Sequence, residues 1–560
     1  MWKEQQKYKN LLLQEKCLDS GGEKMNCKFK SKILLYFFLL LLVVLAGCKE
    51  SEQPSQNEDS LGSEGDTLRV AISGEAEKLD PHFASPVNEV AIVQTIFNGL
   101  VKFPSGTVDF SKIEGDLAQD WEHNEDATKW TFFLKEGVQW QKGYGELTSS
   151  DVKKSFERVM DEETGSPWKN DYNNIASIET PDDYTVEFNL TQPDTSFLLK
   201  VINYHGGMIV NTEAIKDAGD SFMTSPVGTG PFIFEEYNSN EKVVLVKNED
   251  YFKGEPRLNN IEFMIMTDTT AIEIAMDQGE IHLAPGINDQ LWVDKRNQNN
   301  DLTIDYTNPP LLWGIYLNTS KAPLDDIKVR KAIAHAIDIE PLIEEISAKE
   351  AASVPEGPVT TGYFGAANVG SYEYDVEKTK DLLKEAGYED GLTLPTQYIS
   401  TLSSYLDKMV FVQDQLKKAG IDMPLEQVDH STYHANARDD LNNIVMYGYV
   451  RAPHANVTLS QFFYGPATVG TPTAVTNYSH YDKVDDLIEQ GSVEVDEKKA
   501  IEIYKKAQEQ IKEDYVFVPL VELKTVLIRR NEVNLGYNNN DIDGTMIYYY
   551  NIDENTEITK

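Results

Sequence analysis

The run Ile33 to Cys48, ILLYFFLLLLVVLAGC, decides where the rest of this chain must fold. Three lysines precede it, Lys28, Lys30 and Lys32, and small residues close it. A basic flank, a short apolar core and a small-residue end make a secretion signal. A membrane span needs about 18 or more consecutive apolar residues, and Ile33 to Ala46 falls short of that. The body of the chain is therefore expected to fold outside the cytoplasm. Met1 to Lys24 is polar and unpatterned, and Met25 stands just before the lysines. Residues 1–47 are read as a signal peptide with an over-extended start, the true start being Met25.

Leu45-Ala46-Gly47-Cys48 resembles the lipobox of a bacterial lipoprotein. That resemblance implies cleavage before Cys48 and lipid on its thiol and new amine. Cys17 and Cys27 fall in the removed part, so Cys48 would be the one thiol left. An exported chain with a single thiol has no internal disulfide and no cysteine metal site. Its stability must come from large apolar cores, and 513 residues are too many for one of them. Two or more lobes are expected.

Charge narrows the partners. The export segment removes eight basic and four acidic residues from the 51 and 92 of the whole chain, whose net charge is −41. The remainder carries about −45, which repels nucleic acid and anionic lipid headgroups. A lipid must then hold it at the membrane. Residues 48–66, with Leu61 as their one large apolar residue, are expected to form a disordered stalk.

The body starts at Thr67, where Leu68, Val70 and Ile72 alternate as in a strand. Val90, Val93, Ile96 and Leu100 recur at helical spacing, with Gly99 as the expected stop. Trp130–Leu134, Tyr184–Leu190, Val243–Val246, Ile261–Met266, Val516–Leu520 and Thr525–Ile528 read as strands. Thr148 and Asp151 have capping-box spacing before a helix through Met160, and Asp268 caps one ending at Gly279. Val329–Ile337, Val376–Ala386, Tyr405–Ala419 and Lys498–Ile511 show helical periodicity, with Gly387 and Gly420 at C-cap positions. No repeat of fixed period occurs. Nor does any phosphate loop, H-E-x-x-H zinc helix or G-x-S-x-G elbow. No catalytic residue, metal site or cofactor is assigned, and the chain is not read as an enzyme. The readings from a different class, a secreted hydrolase or an adhesin, lack a visible nucleophile set and visible repeats.

Five segments in order resemble the large extracytoplasmic solute-binding proteins of peptide and nickel ABC importers, solute-binding family 5. They are Leu79-Asp80-Pro81-His82; Leu117 to Trp121 with Trp130 to Trp140 and Leu147 to Val152; Pro226 to Phe232 with Tyr251 to Gly254; Leu317 to Thr319 with Val329 to Asp338; and Ala386 to Tyr388. The resemblance implies an α/β, two-lobed fold of the type II periplasmic-binding-protein kind, with an extra inserted subdomain. Lobe I would comprise 67–105, 222–305 and 520–560, the insertion 106–221, and lobe II 306–519. It further implies a monomer at the outer face of a membrane, on a Gram-positive cell surface, that passes peptides to the transmembrane subunits of an ABC permease.

The ligand walls are implied in the same way. In peptide-binding relatives the chain after the Leu-Asp-Pro-His turn runs beside the ligand backbone; here that is Phe83 to Val87, with Ser85, Pro86 and Val87 facing the ligand as an added strand. The opposite wall is Tyr447, Gly448, Tyr449, Val450, Arg451 and His454. Peptide binders carry an acid here for the ligand's free amine, yet this sequence has none from Leu441 to Pro466. Nickel-chelate binders show an aromatic-Gly…Asp-Pro-His pattern, of which Pro453-His454 remains, with Ala452 in place of the acid. Peptide and metal chelate stay open as ligands. His454 could touch a chelate, and Arg451 could clamp a carboxylate by its planar fork.

Overall fold

The strand Thr67–Ile72 sits inside a seven-stranded sheet, with buried residues on both of its faces. The computed structural model describes residues 67–307, 311–471, 476–537 and 550–559. Across the sheet the order is Leu302–Tyr306, Val526–Arg530, Leu283–Pro285, Thr67–Ile72, Asn260–Ile265, Lys242–Lys247 and Phe232–Asn238. Thr67–Ile72 runs parallel to Asn260–Ile265, with Val70 opposite Phe263. One face packs Leu68, Val70 and Ile72 against Ile92, Val93 and Ile96 of the helix Val87–Ile96. The other packs Ala71 and Ile528 against Ile272, Met276 and Trp292. Burial on both faces explains why alternation alone understates this strand: Ala71 is as buried as its neighbours.

The first helix ends earlier than its periodicity predicts. Phe97 is already extended, at φ −118° and ψ 158°, so Leu100 lies beyond the helix. Gly99 is not its left-handed cap. A Cβ there would lie 2.4 Å from the backbone nitrogen of Asn203, so the glycine permits two chain segments to touch. Its N–H donates to Asp116 Oδ2 at 3.1 Å. Asp116 is fully buried, also accepts from Asn98 Nδ2, and pairs with Lys253. Asn98 in turn accepts from Thr229 Oγ1 at 2.9 Å. Residues from four stretches far apart in the chain therefore meet at one buried ion pair, and Thr229 and Lys253 belong to the third of the family segments.

A second, antiparallel sheet of four strands has the order Ala352–Ser353, Phe517–Leu523, Leu311–Leu317, Ile444–Tyr449. Helices Ile327–His335, Val376–Glu385, Ser403–Lys418 and Glu497–Glu513 share its core. Their bounds follow the apolar periodicity within two residues, and Gly387 and Gly420 lie just past two of them at φ 89°. Arg330 is buried and donates to the carbonyls of Asp514 and Leu324, so it ties one helix to the turn after another. A third group joins the sheet Ala118–His123, Lys129–Leu134, Thr185–Leu190, Ile175–Asp182 to helix Ser149–Met160. Phe156 meets Phe188 edge-on at 5.0 Å. Thr148 and Asp151 form the capping box that their spacing predicts.

The chain passes twice between the first two sheets. Leu302–Tyr306 ends in the seven-stranded sheet and Leu311–Leu317 begins the other. On the return, Phe517–Leu523 pairs with Leu311–Leu317 over its full length, and Val526–Arg530 rejoins the first sheet. The crossing therefore follows Leu523 and not the expected 519/520 boundary. The two passages are bonded to each other: Thr307 N–H donates to Thr525 O at 3.1 Å, and Thr525 N–H to Thr307 Oγ1 at 3.3 Å. The signal, Cys48 and the stalk lie outside the described residues. No described helix is long and apolar enough to cross a membrane.

Candidate functional site

Asp80 explains the Leu-Asp-Pro-His turn. It is 1% exposed. Its Oδ2 accepts from Arg158 Nη2 at 2.6 Å, and its Oδ1 accepts from Arg158 Nη1 at 3.2 Å and from His82 N–H at 3.0 Å. Arg158 Nη1 also donates to His82 Nδ1 at 2.9 Å, and the other ring nitrogen donates to Met208 O at 3.2 Å. Burial, the largest influence, holds the His82 imidazole at about 4, so it stays neutral beside the guanidinium. The turn is thereby clamped to helix Ser149–Met160.

The residues after the turn do not form a strand. Phe83 and Ala84 N–H groups both donate to Asp80 O, and Ser85 N–H donates to Glu89 Oε2 at 3.2 Å. Pro86 has no N–H and stands as the N-cap of Val87–Ile96, so Val87 is already helical. Ser85 N–H is committed to Glu89 and Pro86 has no N–H, so a ligand ladder over Ser85, Pro86 and Val87 would be without these two donors. Ser85 and Pro86 are nevertheless exposed, with Val87 half-buried.

Tyr447 to Tyr449 lies on the strand Ile444–Tyr449, antiparallel to Leu311–Leu317. Gly448 opposes Trp313, whose ring would lie 2.4 Å from any Cβ at that position. Its place in the motif is thus to let the indole cross the strand. Tyr447 and Tyr449 share the opposite face with Tyr316, since side chains alternate. There they join Phe462 and Tyr478: Tyr449 stacks on Phe462 at 4.4 Å, and Tyr447 lies 5.3 Å from Tyr478. Tyr316 lies 5.5 Å from Phe462, and its hydroxyl has no hydrogen-bond partner among the described residues. Tyr449 itself is 2% exposed and donates to Pro358 O at 2.8 Å. It is a floor residue of this aromatic group, while Tyr447 remains half-buried.

Arg451 lies over that floor, 5.3 Å from the Phe462 ring and 5.9 Å from the Tyr449 ring. Nη1 donates to Val450 O at 2.8 Å and Nε to Gln461 Oε1. The fork is half-buried and forms no ion pair with a described carboxylate. An acid does stand on the same sheet: Glu522, opposite Leu312, which in turn opposes Tyr449. It is 1% exposed, accepts from Thr361 N–H at 2.8 Å, and is pushed by burial up to about 7.

His454 does not reach outward. Its Nδ1 accepts from Asn456 N–H at 3.1 Å, capping helix Ala455–Phe462. The ring stacks on Phe364 at 4.6 Å and meets Phe110 edge-on at 5.3 Å, and the residue is 1% exposed. Burial holds it at about 4. It is a cap and a packing residue. Among the described residues no three His, Cys, Asp or Glu side chains are grouped to hold a metal ion. No hydrogen bond or ring contact joins Ser85–Val87 to Tyr447–Arg451 among the described residues. Sequence reasoning missed Tyr316, Gln461, Phe462 and Tyr478, because strand pairing and a helix bring them to the wall from far along the chain.

Comparison with known proteins decides the family. Residues 112–471 match the model described as bacterial extracellular solute-binding proteins, family 5 Middle. The chain belongs to this family. It is a solute-binding protein of ABC importers, with the mixed α/β fold of periplasmic binding proteins. The dipeptide-binding protein of Escherichia coli K12 is 28% identical over 473 residues, 79% of this chain and 86% of its own length. MoaA of A. tumefaciens R10, solved with mannopinic acid, is 33% identical, with a TM-score of 0.73 over 89% of this chain and 100% of its own. DppA from Helicobacter pylori, solved with the peptide STSA, is 27% identical, with a TM-score of 0.70 over 88% of this chain and 98% of its own.

Proposed function

We propose that this protein captures oligopeptides outside the membrane, held there by lipid on Cys48, and hands them to the transmembrane subunits of an ABC importer. One observation carries the ligand class: the Arg451 guanidinium lies on an aromatic floor, half-buried and without a described carboxylate. Such a fork suits a peptide C-terminal carboxylate. The names of two relatives, a dipeptide-binding protein and a protein solved with STSA, support the same reading. Ligand would lie between the exposed Ser85–Pro86 corner of lobe I and Tyr447 with Arg451 of lobe II. Lobe I would hold 67–105 and 222–305 with the chain after Leu523, and the inserted subdomain 106–221. The bonded passages at Thr307 and Thr525 would be the hinge.

Arg451→Ala is expected to weaken a free-acid peptide by about 1.5–3 kcal/mol, about ten- to hundred-fold in Kd. A C-terminally amidated peptide should bind wild type as weakly as the variant binds the acid. Calorimetry on both peptides checks this; equal binding of the acid by both proteins would place the ligand elsewhere. X-ray scattering should show the variant contracting only at higher peptide concentration. Labelled fatty acid should enter the wild type and not Cys48→Ser, which should appear in the medium.

A further inference from the structure

The helix His430–Arg438 opens on His430 and carries His434 one turn later on the same face. Their Nε2 atoms are 3.2 Å apart. Two imidazole nitrogens each about 2.0–2.1 Å from one ion would be separated by about 2.9 Å at right angles and about 3.4 Å in a tetrahedron. The observed spacing falls between the two. Nδ1 of His430 lies 3.0 Å from Ser400 Oγ. Donation of Nδ1–H to that oxygen leaves the Nε2 lone pair free, which is how outer-shell partners usually set a metal-binding imidazole.

The pair stands beside the aromatic wall. Tyr405 lies 5.2 Å from the His430 ring and 5.9 Å from that of His434, and Tyr447 lies 5.8 Å from His434. Both histidines are half-buried and retain access to solvent. No third histidine, cysteine or carboxylate completes a set among the described residues, so the protein supplies two donors and leaves the other positions open. Imidazole donors suit zinc, copper and nickel. The excess of acid over base, a net −41, raises the local concentration of cations.

We propose that His430 and His434 form a two-nitrogen clip for a divalent late-transition ion, Ni2+, Cu2+ or Zn2+, whose remaining positions are filled by water or a small chelator. Without metal, one Nε2–H donates to the other Nε2. On binding, that proton moves to Nδ1 of the same ring, and both lone pairs face the ion. The clip is a different set of atoms from Arg451 and does not require the peptide reading to hold.

The test is calorimetry with nickel and zinc chlorides on the mature protein, freed of bound ligand, with copper spin resonance as a second readout. Wild type is expected to bind one ion, with a two-nitrogen signature for copper. His430→Ala and His434→Ala should each weaken it at least about tenfold, the scale set by lesser outer-shell changes. His123→Ala, at an exposed histidine on another sheet, should not. Circular dichroism confirms folding of each variant. Free L-histidine separates the two sources: a chelated ion at the clip binds tighter to wild type and not to His434→Ala, whereas a bare ion is drawn off wild type. Absence of binding by wild type, or binding by His434→Ala as tight as wild type, overturns the proposal. So does a copper spectrum unchanged by His434→Ala.

Discussion

Lowering the pH from 6.5 to 5 is expected to destabilise this protein by about 5 kcal/mol, well before its carboxylates titrate in bulk. Four histidines, His82, His205, His282 and His454, are held at about 4, in each case chiefly by burial. Their ordinary value is 6.5, so the unfolded chain binds protons that the folded chain refuses. The stability they contribute is complete above pH 6.5 and is lost as pH falls towards 4. One pH unit costs up to about 1.4 kcal/mol for each such group, or about 1.6 kcal/mol each over this window, because the unfolded imidazole is only half protonated at pH 6.5. Glu522 acts the other way: burial raises it to about 7, so the folded state gains a proton first and stability rises as pH falls. It offsets about one histidine. Urea unfolding at pH 7, 6 and 5 measures the slope. A midpoint that holds steady or rises from 6.5 to 5 would contradict the account. His454 gives the sharper check, because its ring already packs as an aromatic against Phe364, Phe110 and Tyr504. Asp194, the one charge acting on it, favours its protonation and is outweighed by burial. His454→Phe should lower the slope by about 1.4 kcal/mol per unit while losing the cap bond to Asn456.

What could be read from the chain was local. The capping box at Thr148 and Asp151, the glycines past two helices, and the alternation of Leu68, Val70 and Ile72 all concern neighbours within a turn or a strand. Leu100 failed because its spacing is helical only if Gly99 is a stop. In fact Gly99 answers a contact with Asn203, about a hundred positions away, which no local pattern reveals. The candidate wall divides along the same line. Tyr447 and Arg451 were visible through the resemblance, but Phe462, Gln461 and Tyr316 join them only through strand pairing and helix packing. A histidine after proline reads alike whether it caps a helix inside a core or reaches a ligand, and in His454 the structure shows the cap. His430 and His434 were legible as a pair four apart, since that spacing puts both rings on one helical face. They went unread because the helix that carries them is short.

Arg158→Met should cost about 3–5 kcal/mol, the usual result of removing one partner from a buried ion pair. Asp80 is 1% exposed and holds Arg158 through both of its oxygens. The methionine keeps much of the apolar stem but not the guanidinium, which lies 5.5 Å from the centre of the Phe83 ring, so the loss would come chiefly from the abandoned carboxylate and from His82 Nδ1, which also loses its donor. Pairing is the cause if a second change repairs it. Asp80→Asn combined with Arg158→Met buries no charge and is expected to be more stable than Arg158→Met alone, as replaced buried pairs often are. A double variant no better than the single would show that the arginine matters by packing instead. The consequence reaches ligand binding, because Phe83 and Ala84 hang from the carbonyl of Asp80 and Ser85 follows directly. With the turn unclamped, the Ser85–Pro86 corner loses its fixed position while Arg451, on the other sheet, keeps its own. Peptide affinity should therefore fall in Arg158→Met even where urea melts show the protein fully folded, with the preference for a free C-terminal acid over an amide preserved. Loss of that preference would mean that the turn and the guanidinium are not independent halves of the proposed site.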